Sequence, residues 1–205
     1  MAHNLVFTGD SITDSGRRDS SPPLGHGYVA LIADQLQSAA PAWSIINTGI
    51  AGNRTLDLRE RWLPDIEAVS PDVLSILIGI NDVWRRFSDD DPTDVTDFEA
   101  TYRTLLTQAV ASGSPALVLC EPFLLPVSDD QQAWFSDLNP KRGVVRALAS
   151  EFGARFLPLQ ELLSDDAGKY GTNALTTDGV HLTPMGHRLL ADHWMHASLA
   201  LLSGH

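Results

Sequence analysis

Five short apolar runs punctuate the chain: "NLVFT" (4–8), "WSIINT" (43–48), "DVLSILIG" (72–79), "ALVLC" (116–120) and "ARFLPL" (154–159). Several are continuously apolar rather than alternating, the pattern of strands covered on both faces. Stretches of helical periodicity lie between them. In "GYVALIADQLQSAA" (27–40), Val29, Ile32, Ala33 and Leu36 fall on one helical face. "DVTDFEATYRTLLTQAVASG" (94–113) has an acidic first turn and stops at Gly113, and "LNPKRGVVRALASEFG" (138–153) stops at Gly153. "TPMGHRLLADHWMHASLALL" (183–202) opens with Thr183 as N-cap and Pro184 at the first helical position. Strands alternating with helices predict an α/β fold, a five-stranded parallel sheet with helices on both faces and right-handed crossovers.

No internal repeat or linker interrupts this pattern, so residues 1–205 are expected to form a single domain. The acidic run "SDDDPTD" (88–94) reads as a solvated loop and helix cap. In parallel α/β sheets, ligands sit outside the carboxyl ends of the strands. Three polar stretches follow directly on strand ends: Gly9-Asp10-Ser11, "NTGIAGN" (47–53) and "GINDVWRRF" (79–87). All three are therefore expected on one edge of the sheet.

Charge narrows the partners. The chain carries 14 Lys and Arg against 26 Asp and Glu, a net −12, which disfavours nucleic acid and anionic membrane surfaces. A neutral small molecule or sugar chain is the easier partner. No segment reaches the ~18 consecutive apolar residues of a membrane span. The N-terminal residues lack a basic segment followed by a long apolar one, so a cytoplasmic protein is expected. Cys120, the only cysteine, excludes an intrachain disulfide and reads as the buried end of a strand.

A serine that attacks an ester needs a base, a group that orients the base, and donors for the oxyanion. "TTDGVHLTPMG" holds Asp178 and His181 three residues apart, close enough for the carboxylate to reach Nδ1 and leave Nε2 for a serine. Alone, this spacing is a weak signal. Ser11 follows the first strand, Gly52 the second and Asn81 the third. They offer a hydroxyl with its own N–H, an unobstructed backbone N–H and a side-chain amide. A nucleotide cradle is excluded by the lack of Gly-x-Gly-x-x-Gly or Gly-Lys-Ser/Thr.

With "GDS", "GIAGN", "GIND" and "DGVH" in this order, the chain resembles the SGNH (GDSL) hydrolase family from residue 5 to about 190. The resemblance implies a flavodoxin-like three-layer α/β/α sandwich. It also implies a Ser11–His181–Asp178 triad, an oxyanion hole from Ser11, Gly52 and Asn81, and no metal or cofactor. "GDSITDSGRR", "LGHGYVALI", "ERWLPDI" and "GINDVWRRF" are similar to the acetylxylan-esterase-like branch. That likeness implies an acetylesterase acting on acetylated xylo-oligosaccharides, and suggests a homo-oligomer.

Around these residues, Asp10 is expected to support the turn that presents Ser11. With Trp84, Ile50, Ile80 and Val180 it is placed beside the substrate. Ile50, Ala51, Ile80 and Val180, small or branched, would leave room for a methyl and crowd longer chains. Trp84, Phe87, Trp134 and Phe135 offer aromatic faces for a sugar ring. Trp62 belongs to core or rim, and Trp43 and Trp194 to packing. His26 is the further histidine considered for the pocket; His187, His193 and His196 read as surface or packing residues. The enzyme alternative is a thioesterase or lysophospholipase, and the non-enzyme alternative a carbohydrate-binding protein on the same scaffold.

Overall fold

A computed structural model describes residues 3–39 and 42–202. Strands β1 (His3–Gly9), β2 (Trp43–Asn47), β3 (Val73–Leu77), β4 (Ala116–Cys120) and β5 (Arg155–Leu157) form one sheet in the order β2-β1-β3-β4-β5. Every pairing is parallel. The α-helices are α1 (Ser11–Asp14), α2 (Tyr28–Ala39), α3 (Thr55–Glu60), α4 (Ile80–Ser88), α5 (Val95–Ser112), α6 (Phe135–Glu151), α7 (Leu159–Tyr170), α8 (Thr172–Leu175) and α9 (Pro184–Leu202).

The near-continuous apolar strands split their side chains between two cores. Leu5, Phe7, Val73, Leu77 and Val118 pack with residues of α2, α7 and α9 on one face. Val6, Leu74, Ile76, Leu117 and Leu119 pack with residues of α3, α5 and α6 on the other. Period-two alternation therefore survives, and both faces are apolar because both are covered. Trp194 fills the first core and donates its indole N–H to Ser75 Oγ at 3.0 Å. Trp62 fills the second. Cys120 is buried at the end of β4, where desolvation pushes its thiol up to about 12.

This strand order reverses direction between β1 and β3, the position where flavodoxin-like sheets open a crevice. Close approach of the two strands there demands glycine. A Cβ on Gly9 would stand 2.1 Å from the Leu77 carbonyl oxygen.

Three elements differ from the sequence expectation. The stretch after β3 is a helix, α4, entered through Gly79 at φ 126°, and the strand itself ends at Leu77. Helix α6 starts at Phe135, three residues before the expected 138, and carries Pro140 inside it. A proline there reads as a helix start, because the first turn is where it is best tolerated. The last apolar run yields a three-residue strand, and its "PL" begins α7. The expected helix end at residue 40 lies outside the described residues.

Candidate active site

Ser11 stands at the first position of α1, a single turn directly after β1. Asp10 is its N-cap: Oδ1 accepts the Ile12 N–H at 3.0 Å. Ser15 closes the turn in the left-handed region at φ 41°. The abrupt change from strand to turn brings the serine hydroxyl out at the sheet edge. Ser11 Oγ lies 2.9 Å from His181 Nε2. His181 Nδ1 lies 2.6 Å from Asp178 Oδ2.

The loop carrying this pair is braced from several sides. Asp178 Oδ1 accepts the backbone N–H groups of Val180 at 2.9 Å and His181 at 2.7 Å. Partial burial would raise the Asp178 carboxyl. The hydrogen bonds from His181 and Val180 outweigh it and hold the group below the usual carboxylate range. Thr176 Oγ1 accepts the Gly179 N–H and donates to the His181 carbonyl. Gln131 donates through Nε2 to the Asp178 carbonyl at 2.6 Å, while its Oε1 accepts the Val127 N–H. Neither Thr176 nor Gln131 was expected from sequence.

Ser11, Gly52 and Asn81, which follow β1, β2 and β3, line one hollow at this edge. Gly52 has φ 82°, a left-handed conformation that favours glycine, with open space where a Cβ would sit. Asn81, in the first turn of α4, donates one Nδ2 hydrogen to the Asn53 carbonyl at 3.0 Å, which locks the amide to the loop bearing Gly52 and leaves its other hydrogen for a ligand. The next residue, Asp82, is buried and accepts from Thr55 N and Oγ1, fastening α4 to α3. Burial pushes its carboxyl up to about 6. Asp14 accepts the Ala51 N–H, and Asn47 donates to the Thr13 carbonyl, so the Gly52 loop is also tied to α1. Arg61 completes the brace by donating to the carbonyls of Gly9 and Thr48.

Beside Ser11 lies a hollow of about 310 Å³, lined by Ala51, Gly52, Asn81, Trp84 and His181 together with the outer turn of α4. A serine, an imidazole and a carboxylate in one hydrogen-bonded line can carry out acyl transfer.

Comparison with known proteins agrees. A profile of the GDSL-like lipase/acylhydrolase family matches residues 7–189. The chain belongs to this family. An acetylxylan esterase of Geobacillus stearothermophilus is 36% identical over 200 residues, which cover 91% of this chain and 90% of that protein. A solved structure from Parabacteroides merdae, assigned as a GDSL-like lipase, aligns with a TM-score of 0.90 at 36% identity over 96% of this chain and 95% of its own. A crystal structure of an acetylxylan esterase from Geobacillus stearothermophilus aligns at 0.85 and 33% identity, over 95% and 93%. This GDSL-like protein is accordingly a carboxylic ester hydrolase.

Several side chains expected beside the substrate of this hydrolase lie elsewhere. Asp10 is fully buried (0% exposed), and burial pushes its carboxyl up to about 7 despite the Ile12 N–H; it serves the turn. Ile80 and Val180 are each 1% exposed and point into the core that also holds Trp194. Ile50 is half-buried and does not line the hollow. Ala51, of the same group, does line it. Trp84 does line it, and its ring packs against His181 with centroids 5.8 Å apart. His26 is exposed and flanks Gly16 rather than the hollow. His193 pairs with Asp166, and His187 is buried against Tyr28. Among the described residues, no group of three or more His, Cys, Asp and Glu is arranged to hold a metal, and no helix is long and apolar enough to cross a membrane.

Proposed function

We propose that this enzyme is a serine esterase that removes acetyl groups from acetylated xylo-oligosaccharides through an acyl-enzyme on Ser11. The observation that carries the reading is the Ser11–His181–Asp178 line, at 2.9 and 2.6 Å, beside a hollow that Gly52 and Asn81 also line. Ser11 Oγ attacks the ester carbonyl carbon as its proton passes to His181 Nε2. The oxyanion takes hydrogen bonds from the N–H groups of Ser11 and Gly52 and from Asn81 Nδ2. Collapse breaks the bond to the sugar oxygen, which leaves with the proton from Nε2. Water then enters, gives a proton to Nε2 and attacks the acyl-enzyme. Acetate departs and Ser11 recovers its hydrogen. Asp178 fixes the tautomer with Nδ1–H and stabilises the imidazolium.

Two observations support a short acyl group on a sugar. The hollow beside Ser11 is small, with Ala51 and Trp84 as its apolar contributors, which favours a short acyl group. The 36% identical relative is an acetylxylan esterase.

A series of p-nitrophenyl esters from acetate to octanoate tests the acyl group, and acetylated xylobiose tests the sugar. The expected result is kcat/KM falling from acetate onward, activity on the disaccharide, and loss of both in Ser11→Ala. A maximum at butyrate or longer would overturn the acetyl reading in favour of a lipase or lysophospholipase.

A further inference from the structure

The small hollow is not the end of the cleft. Trp84 and Ser88 line it and also line a second hollow of about 660 Å³, bounded further by Phe87, Val127, Gln131, Trp134 and Thr177. An aromatic series leads from the catalytic histidine into this space. The Trp84 and Trp134 rings lie 5.5 Å apart, and Phe87 stacks on Trp134 at 5.5 Å and 11°. Phe87 is 39% exposed although it is large and apolar. Asp178, which orients His181, lies on the same wall.

Position decides which part of an ester can enter. The leaving oxygen must collect its proton from His181 Nε2, so the leaving group departs on the histidine side. The acyl carbonyl points the other way, at Gly52 and Asn81. The second hollow adjoins Trp84, Thr177 and Asp178 and therefore lies on the leaving-group side. Its surface suits a neutral sugar: aromatic faces for the C–H faces of pyranose rings, with Ser128, Gln131 and Thr177 as polar partners at the edge. Asp130 on the rim and the net charge of −12 oppose an anionic chain.

Resting on the function proposed above, we infer that this hollow is a subsite for the neutral xylosyl chain that carries the ester, with the exposed Phe87, backed by the buried Trp134, as its stacking platform. The enzyme would then recognise an acetylated oligosaccharide by its length as well as by its ester. Phe87 is the residue to change, because its exposure lets it be truncated without opening the core.

The test measures kcat/KM on acetylated xylose, xylobiose and xylotetraose, each divided by kcat/KM on p-nitrophenyl acetate. In the wild type this ratio is expected to rise with chain length. In Phe87→Ala the ratio for xylotetraose should fall about three- to tenfold, through KM, the loss expected for one aromatic contact, while Phe87→Tyr retains it. Unacetylated xylotetraose should perturb the tryptophan fluorescence of Ser11→Ala, and do so less in the double variant with Phe87→Ala. Equal wild-type ratios at all lengths, or an unchanged profile in Phe87→Ala, would overturn the subsite and leave the esterase reading intact. A change of mass in light scattering with that unchanged profile would instead make the Phe87 face a contact between copies. Hydrolysis of p-nitrophenyl acetate without action on any acetylated xyloside would overturn the substrate reading, and the subsite with it.

Discussion

Asp178 holds His181 at two points: Oδ2 meets the ring at Nδ1, 2.6 Å away, and Oδ1 accepts the backbone N–H of the same residue at 2.7 Å. One carboxylate thus sets both the position of the backbone and the tautomer of the ring. Asn in its place can keep the backbone contact through its oxygen but presents an N–H to Nδ1. The ring must then carry its proton on Nε2, where it can no longer accept one from Ser11. Asp178→Asn should therefore lower kcat about 10⁴-fold with the fold intact, the known scale for this change in a Ser-His-Asp triad. Steady-state kinetics beside circular dichroism check this. Activity within tenfold of wild type would place the orienting carboxylate elsewhere. The carboxyl is held low in the folded state, so its contribution to stability is present above the ordinary carboxylate pKa of about 3.9 and is lost as pH falls below it.

Asn81 is pinned through one amide hydrogen to the Asn53 carbonyl, which aims the other at the site before substrate arrives. A donor fixed in advance acts mainly on charge that develops in the transition state. Asn81→Ala is expected to lower kcat by about 10²–10³ with little change in KM. A rise in KM at preserved kcat would make Asn81 a binding residue.

Helix α4, which carries Asn81, meets α6 at Arg86, beside a buried ion pair within α6. Lys141 of α6 is 0% exposed, and its Nζ lies 2.8 Å from Asp137 Oδ1, which Arg86 of α4 approaches at 3.3 Å. Lys141 also favours the charged form of Asp82, next to Asn81. Breaking a buried pair leaves an uncompensated charge, at a loss of about 3–5 kcal/mol. Because Arg86 remains beside Asp137, Lys141→Met is expected at the lower end of that range in urea unfolding. A loss below about 1 kcal/mol would show that the pair contributes no more than an exposed one.

The parts of the site legible in the sequence are those that follow strand ends. Ser11, Gly52 and Asn81 each come just after a recognisable apolar run, and Asp178 and His181 are near neighbours in the chain, so local pattern and topology suffice. The bracing residues were invisible because their partners are far away: Asn47 reaches back 34 residues, Gln131 forward 47 and Arg61 back 52. Ile80, Val180 and Asp10 lie away from the hollow for a different reason, Asp10 while supporting the turn as expected. Each adjoins a site residue in sequence, but successive residues of a turn or helix point in different directions, so their side chains enter the core instead. Trp84, one helical turn after Asn81, lines the same hollow by that geometry. Helix α4 itself was hidden by its brevity and its lack of an N-cap side chain.

His187 of α9 makes the stability pH-dependent. Its ring is buried, its Nδ1 accepts the Tyr28 N–H at 3.2 Å, and Gly27 packs so closely that a Cβ there would lie 2.8 Å from Cε1. Burial, reinforced by the charge on His181, lowers its pKa to about 4. The unfolded chain takes up a proton on this group near ~6.5, whereas the folded chain resists until about 4. The unfolded state therefore binds more protons between these values, and stability is lost as pH falls through that window. The loss should be about 2 kcal/mol by pH 5 and approach about 3 kcal/mol below pH 4. His187→Gln keeps an acceptor for the Tyr28 N–H but cannot titrate. Its deficit in unfolding free energy relative to wild type at pH 7 should shrink by about 2 kcal/mol at pH 5. Equal pH slopes for the two proteins would mean that His187 is not held neutral in the fold.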